Sequence, residues 1–284
     1  MADRPILVLA ATGGQGRAVT AALLERGAPL RALVRNPMSD GARSLAEKGA
    51  DIVTGSLDDG DSLTAAMRDV AAVFALTTPF ESGVDAEVAQ GRTIVAAAEQ
   101  ARVPHLVFSS VAGADQNTGV PHFDSKAVIE AELAARELPH TILGPTYFFD
   151  NALGGTDRIR TEGVLDLPLP PDRPLQQLDR RDLGAFAARV LLSPERYVGQ
   201  RIELASDAPT PEDMAAVLTQ VTGSPVRHEQ TALDSITDPD MHAMWQFLNG
   251  PGYQVDLDRL HSAFPEVGWT PFADWAGRTF GPTG

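Results

Sequence analysis

Ala10-Ala11-Thr12-Gly13-Gly14-Gln15-Gly16 have the residue types and spacing of a phosphate cradle. They follow the apolar run 6–9 and open the amphipathic run 18–24, so a buried strand turns through glycine into a helix. Glycines let a backbone approach phosphate closely, and a helix start offers unpaired N–H groups and a partial positive charge. The chemistry is capture of a dinucleotide pyrophosphate, with Ala11, Thr12, Gly13, Gln15 and Gly16 as the candidate contacts. One unit later the apolar run 30–34 ends in Arg35-Asn36-Pro37, with no Asp or Glu from 30 to 39. An acidic residue there would accept from both ribose hydroxyls of the unphosphorylated cofactor, whereas an arginine suits a 2′-phosphate. A charge-assisted contact of this kind is worth roughly 1.5–3 kcal/mol. NADP(H) is therefore expected over NAD(H), with Arg35 as the main phosphate ligand and Arg31 and Arg17 as weaker ones.

Composition narrows the partners. The chain has 284 residues, a net charge of −15 and no basic run longer than two. Nucleic-acid binding needs a basic face to displace counterions, so it is not expected. No stretch reaches the roughly 20 apolar residues of a membrane span, and the first residues lack a signal-peptide pattern. With no cysteine, thiol catalysis, disulfides and cysteine metal sites are excluded, and a cytoplasmic location is expected. The six histidines show no HExxH or similar spacing, so no metal is expected.

The elements that must position these residues alternate. Apolar runs predict strands near 6–10, 30–34, 51–54, 72–76, 105–109 and 141–144, with helices near 14–26, 40–48, 57–68, 84–101 and 123–137. Nearly continuous apolar strands at about 25 residues per unit argue for a doubly wound parallel α/β sheet of Rossmann type. After Asn151 the pattern changes to glycine- and proline-rich loops with a short hairpin. A helix at 181–192 with Asp179 as N-cap, a strand at 201–205 and a helix at 210–221 follow. The expected division is residues 1–153 as the nucleotide-binding domain and 154–284 as a smaller α+β lobe over the carboxyl ends of the strands. The 181–192 helix would pack back on the first domain. Thr77, Thr78 and Phe80, just past the fourth strand, should lie beside the cofactor.

The turn at 10–16, Arg31-Ala32-Leu33-Val34-Arg35-Asn36-Pro37, Ser109-Ser110-Val111-Ala112-Gly113-Ala114 and Pro121-His122-Phe123-Asp124-Ser125-Lys126 together resemble the NmrA-like family. That family belongs to the atypical short-chain dehydrogenase/reductases. The likeness continues through Gly199 to Ala205 and through Thr210-Pro211-Glu212-Asp213, so it covers most of the chain. The resemblance implies NADP(H) bound on a Rossmann domain, with the adenine beside Leu57 and Asp58. It implies either a reductase of small molecules or a cofactor-sensing regulator; for a sensor, a homodimer or a protein partner stays open. Ordinary members of the wider superfamily use serine, tyrosine and lysine. Here Ser109 is followed by His122 at +13 and Lys126 four residues on, so histidine stands at the tyrosine position.

The catalytic candidates are accordingly Lys126, His122 and Ser109, and Lys126 is also expected to bind the cofactor by orienting the nicotinamide ribose. A histidine can donate a proton near neutral pH, or it can simply pack or cap at the helix start. Two further departures are Ala10 in place of the first glycine, and Gly144 where relatives carry arginine. The second either opens space beside the nicotinamide or removes a structural ion pair. Phe80, Tyr147, Phe148, Asn151 and Trp245 are candidate substrate contacts; aromatic walls would suit a flat, apolar substrate such as a quinone or aromatic carbonyl. The leading expectation is an NADPH-dependent oxidoreductase acting on such a molecule, and the alternative is an NADP(H) redox sensor without turnover.

Overall fold

A computed structural model describes residues 4–281. The strands are β1 (Ile6–Val8), β2 (Leu30–Val34), β3 (Asp51–Thr54), β4 (Ala72–Leu76), β5 (Leu106–Ser109), β6 (His140–Pro145), β7 (Tyr147–Phe148), β8 (Val164–Leu167), β9 (Gln177–Leu178), β10 (Arg201–Leu204) and β11 (Arg227–Gln230). The helices are α1 (Gly14–Glu25), α2 (Asp40–Glu47), α3 (Gly60–Ala66), α4 (Val84–Gln100), α5 (Pro121–Ala134), α6 (Thr156–Thr161), α7 (Arg180–Leu192), α8 (Pro211–Thr222), α9 (Pro239–Asn249), α10 (Leu257–Ala263) and α11 (Phe272–Phe280).

Seven strands form one sheet in the order β10-β6-β5-β4-β1-β2-β3, with every pairing parallel. Both faces are covered, which is why the strands are apolar at successive positions. Ile6 and Val8 face the core shared with Val19, Leu23, Phe186 and Val190 of α1 and α7. Leu7 and Leu9 face the opposite core, with Leu63, Ile94, Ile129 and Leu133 of α3, α4 and α5. A Cβ on Gly184 would lie 2.5 Å from the Ala18 carbonyl oxygen, so α7 and α1 touch backbone to backbone. β1 sits where the winding reverses, between β2 and β4, and a crevice opens at the carboxyl ends of those strands.

Three local expectations are corrected. The segment after Gly155 does not form a hairpin: α6 precedes β8, and β8 pairs in parallel with β11. The strand expected at 201–205 lies not in the smaller lobe but at the edge of the large sheet, paired with β6. α5 begins at Pro121, because proline is tolerated in a first turn that needs no N–H. His122 therefore lies inside the helix rather than before it.

The remainder packs around Phe149, Leu165, Met214, Trp245, Phe272 and Trp275 as a third apolar core. Asp182 of α7 ties this part down, accepting from Ser206 Oγ (2.6 Å), Thr270 N (2.7 Å) and Thr270 Oγ1 (2.9 Å).

Candidate active site

A cleft of about 930 Å³ runs along the carboxyl ends of the strands, from Arg35, Leu57 and Asp58 at one end to Trp245 and Tyr253 at the other. The glycine turn forms its floor. Ala10 adopts φ +48°, a left-handed conformation costing an L-residue roughly 1–2 kcal/mol. Helix α1 then packs on the Ala10 carbonyl so closely that a Cβ on Gly16 would lie 2.2 Å from that oxygen. Gly13 is the N-cap and supplies no side-chain cap, leaving the first amides of α1 open to an anion. Thr12, Gly13 and Gln15 line the cleft; Ala11 does not, being fully buried in the core, and Gly16 serves close packing instead of contact.

Arg180, at the start of α7, was not foreseen. Its guanidinium lies where a Gly14 side chain would be, 2.7 Å from an ideal Cβ, and 5.4 Å over the Phe148 ring. Its Nη1 is 3.4 Å from Asp150 Oδ1, and among the described residues its Nε has no hydrogen-bond partner. A cation beside the positive end of a helix is unfavourable on its own and favourable once an anion sits between them.

At the far end Arg35 donates to both oxygens of Glu81, at 2.9 and 3.3 Å. The pair bridges the end of β2 to the loop after β4. Arg31 is spent elsewhere, on Asp51 and the carbonyls of Ala66 and Arg68, and Arg17 bonds the Thr12 carbonyl. α3 starts at Gly60, capped by Asp59. Leu57 and Asp58 thus stay in the preceding turn and line the cleft, with Gln90 Nε2 donating to Asp58 Oδ1 at 3.0 Å.

The expected catalytic set divides. Ser109 Oγ donates to Gln15 Oε1 at 2.7 Å and does not line the cleft. Neighbouring Ser110 does line it, but donates to Glu130. Lys126 is buried and gives its ammonium to the Thr77 carbonyl (2.6 Å), Thr77 Oγ1 (3.0 Å) and Glu87 Oε1 (2.9 Å). An ammonium has three donors, and three acceptors are in place. Glu87, fully buried, also accepts from Thr77 Oγ1 (3.0 Å) and Ser125 Oγ (2.5 Å). Burial presses the Lys126 ammonium below its ordinary range, and Glu87 works against that shift.

Gly144 opens no space: a Cβ there would lie 3.3 Å from the Ala112 backbone and from Glu203 Cγ. Nor is a guanidinium missing, because Arg201 on adjacent β10 reaches Glu130 Oε2 (2.9 Å), Glu203 Oε1 (2.7 Å) and the Val111 carbonyl (3.0 Å).

His122 lines the same cleft as the glycine turn and an aromatic chamber. Its Nδ1 lies 2.6 Å from Asp240 Oδ1, and the Phe80 and Phe123 rings are 5.7 and 4.8 Å from its ring. Phe80 is 71% exposed, at the rim of the cleft on a turn in which its N–H donates to Thr78 Oγ1. The chamber is lined by Tyr147, Asn151 and Trp245, and by Met241, Met244 and Tyr253 besides. Phe148 lines the cleft elsewhere, against the first core and under the Arg180 guanidinium, because successive side chains of β7 point to opposite sides. Tyr147 lies 5.5 Å from Trp245, and burial pushes its phenol up to about 12, so it stays a neutral donor.

The other five histidines contact backbone carbonyls or Thr141. Among the described residues no group of three potential ligands could hold a metal ion, and no helix is long and apolar enough to cross a membrane. The residues that sequence reasoning missed are Glu81, Glu87, Arg180, Met241, Met244, Asp240 and Tyr253, which come from other elements; Asp238-Pro239-Asp240 has the residue types of a helix start, but nothing in it points to His122.

A dinucleotide fits this arrangement. The turn at Gly16 has no room for a side chain, Arg180 brings an unpartnered donor to the open amides of α1, and Arg35 stands at the outer end.

Comparison with known proteins agrees with the geometry. The profile of the NmrA-like family matches residues 2–270. A (4-alkanoyl-5-oxo-2,5-dihydrofuran-3-yl)methyl phosphate reductase of Streptomyces griseus is 32% identical over 232 residues, covering 81% of this chain and 78% of that one. An NAD(P)H azoreductase of Xenophilus azovorans is 29% identical, with the same coverage of 81% and 78%. A crystal structure of an NADPH-dependent quinone oxidoreductase from Escherichia coli, complexed with NADPH, superposes with a TM-score of 0.81 at 26% identity, covering 97% of this chain and 99% of that one.

Proposed function

The chain belongs to the NmrA-like family, and from that premise we propose that it is an NADPH-dependent reductase of a small aromatic or conjugated carbonyl or quinone. The observation that carries this reading is continuity: one cleft is lined by the glycine turn, by aromatic and methionine side chains and by His122. Relatives that reduce a furanone phosphate, an azo compound and a quinone support it.

Gly13, Gly14 and Gln15 would hold the pyrophosphate with Arg180, Leu57 and Asp58 the adenosine, and Arg35 the 2′-phosphate. Thr77 and Thr78 would border the nicotinamide half. When bound, NADPH supplies the hydride. The protein supplies position and a proton: Tyr147 and Trp245 press a flat substrate into a chamber that sheds water, and His122 offers the proton the reduced oxygen needs. Within 154–284 the part outside α7 and β10 acts as the substrate lobe, through Trp245 and its neighbours on α9.

One observation favours the alternative of an NADP(H) sensor without turnover. Lys126, expected to hold the nicotinamide ribose, is fully engaged by Glu87 and Thr77. The deciding experiment is NADPH oxidation against a panel of quinones, enones and aromatic aldehydes, with His122→Gln alongside. Turnover that falls in the variant supports the reductase. Tight NADPH binding with no turnover on any member of the panel would move the assignment to the sensor.

A further inference from the structure

We propose that Asp240 is a positioning residue for His122. It pins the neutral imidazole as the Nδ1–H tautomer, so that Nε2 is the atom that exchanges a proton with substrate. The inference rests on the reading of His122 as proton donor.

Several observations converge on this pair. The ring contact, 2.6 Å from His122 Nδ1 to Asp240 Oδ1, is at the short end of a charge-assisted hydrogen bond. The same oxygen accepts the His122 backbone N–H at 3.2 Å, so one carboxylate fixes both the main chain and the ring. The carboxylate is itself placed firmly, since Asp238 Oδ1 caps α9 by accepting from the amides of Asp240 and Met241, each at 3.0 Å. The Phe123 ring stands edge-on to the imidazole at 89° and limits its rotation.

Nε2, on the far side of the ring, has no protein partner among the described residues. It is also not one of their buried, partnerless atoms, so it is reached from the cleft that His122 lines. The other ionisable group nearby, Lys126 one turn further along α5, is committed to Glu87. A helix cap would need only the backbone contact; the shorter of the two contacts goes to the ring.

The chemistry follows from which nitrogen is free. In the imidazolium, Nδ1–H stays on Asp240 while the Nε2–H bond breaks and an O–H bond forms on the substrate oxygen. The carbonyl carbon has taken its two electrons as hydride from NADPH. The N–H electron pair remains on Nε2, leaving a neutral ring already in the pinned tautomer, and solvent water returns the proton. α9 also carries Met241, Met244 and Trp245 into the chamber, so the helix that shapes the substrate wall also orients the acid.

The test combines kinetics with nitrogen-15 NMR of histidine-labelled protein, at a pH where the ring is neutral; His122 is assigned by its loss in His122→Gln. The wild type should show a bare Nε2, and Asp240→Ala should move the ring towards the Nε2–H form. With menadione as substrate, Asp240→Ala and Asp240→Asn should lower kcat by about tenfold or more, while KM and the NADPH Kd stay within about twofold. An Nε2–H tautomer in the wild type, or no change of tautomer in Asp240→Ala, overturns the proposal without any need for turnover. Asp240 variants with wild-type kcat, in a protein that His122→Gln inactivates, sink the positioning role alone. A fully active His122→Gln removes the proton-donor reading and the proposal with it.

Discussion

Lys126 Nζ lies 2.9 Å from Glu87 Oε1 in a site where Glu87 has no solvent exposure. The pair joins α5 to α4, and Thr77 at the end of β4 completes it. Breaking a buried pair from one side leaves an uncompensated charge, which costs about 3–5 kcal/mol. Glu87→Gln and Lys126→Met should each lower stability by about that much, and the double variant should recover most of the loss. Urea unfolding of the four proteins measures this. If the single variants unfold like the wild type, the lysine is free to serve the cofactor.

Arg35 and Glu81 are paired but exposed, with side chains 76% and 61% accessible, so the ion pair itself contributes little. A 2′-phosphate would bring a stronger acceptor to the same guanidinium. Arg35→Ala is expected to weaken NADPH binding about tenfold and NADH hardly at all. Glu81→Gln should leave NADPH binding equal or tighter. Titration of intrinsic fluorescence with each cofactor reads both effects, and equal losses for the two cofactors would show that Arg35 does not meet the phosphate.

Arg180 makes a different prediction because it stands at the glycine turn. Arg180→Ala should weaken NADPH, NADH and ADP-ribose alike, by about tenfold, while 2′-AMP, which has no pyrophosphate, binds as before. Calorimetric titration of the four ligands separates the cases. Loss confined to an anionic substrate would instead place this guanidinium on the substrate side of the cleft.

The parts legible in the sequence are those whose chemistry is local. Gly13 to Gly16 and Arg35 sit within one strand–helix–strand unit, so spacing alone locates them. Strand positions follow from apolar runs, because a sheet covered on both faces needs them at successive positions. Asp240 was not legible, since it meets His122 from 118 residues away, and only folding of α9 onto α5 creates the contact. Glu87 lies in the first turn of α4, where an acidic residue is ordinary, and nothing local marks it as the countercharge of Lys126. Arg201 takes over beside Gly144 through strand pairing, which joins two segments that are unrelated in sequence.

Ala10 and Gly16 give opposite predictions. Ala10 holds φ +48°, where glycine carries no steric penalty, so Ala10→Gly should stabilise the chain by up to about 1 kcal/mol after its extra unfolded-state entropy is counted. Gly16→Ala would place a methyl 2.2 Å from the Ala10 carbonyl oxygen, forcing α1 away from the turn. That variant should lose both stability and cofactor binding. Thermal melts with and without NADPH test both, and a harmless Gly16→Ala would show that α1 can move off the Ala10 carbonyl without cost.

His105 should make the protein sensitive to acid. The side chain is fully buried; Thr141 donates its hydroxyl to the Tyr197 carbonyl, so His105 Nε2 is the donor towards Thr141 Oγ1, and Nδ1 has no partner among the described residues. Burial, followed by the nearby His140, lowers its pKa from 6.5 to about 4. The unfolded chain thus takes up a proton on this ring below pH 6.5 that the folded chain refuses until about pH 4. The associated stability, about 3 kcal/mol, is fully present above the unfolded value and declines as pH falls between the two. His105→Leu keeps an apolar filler and has nothing to protonate, so its melting temperature should fall less steeply across that interval. Parallel slopes for variant and wild type would show that the acid response resides in other groups.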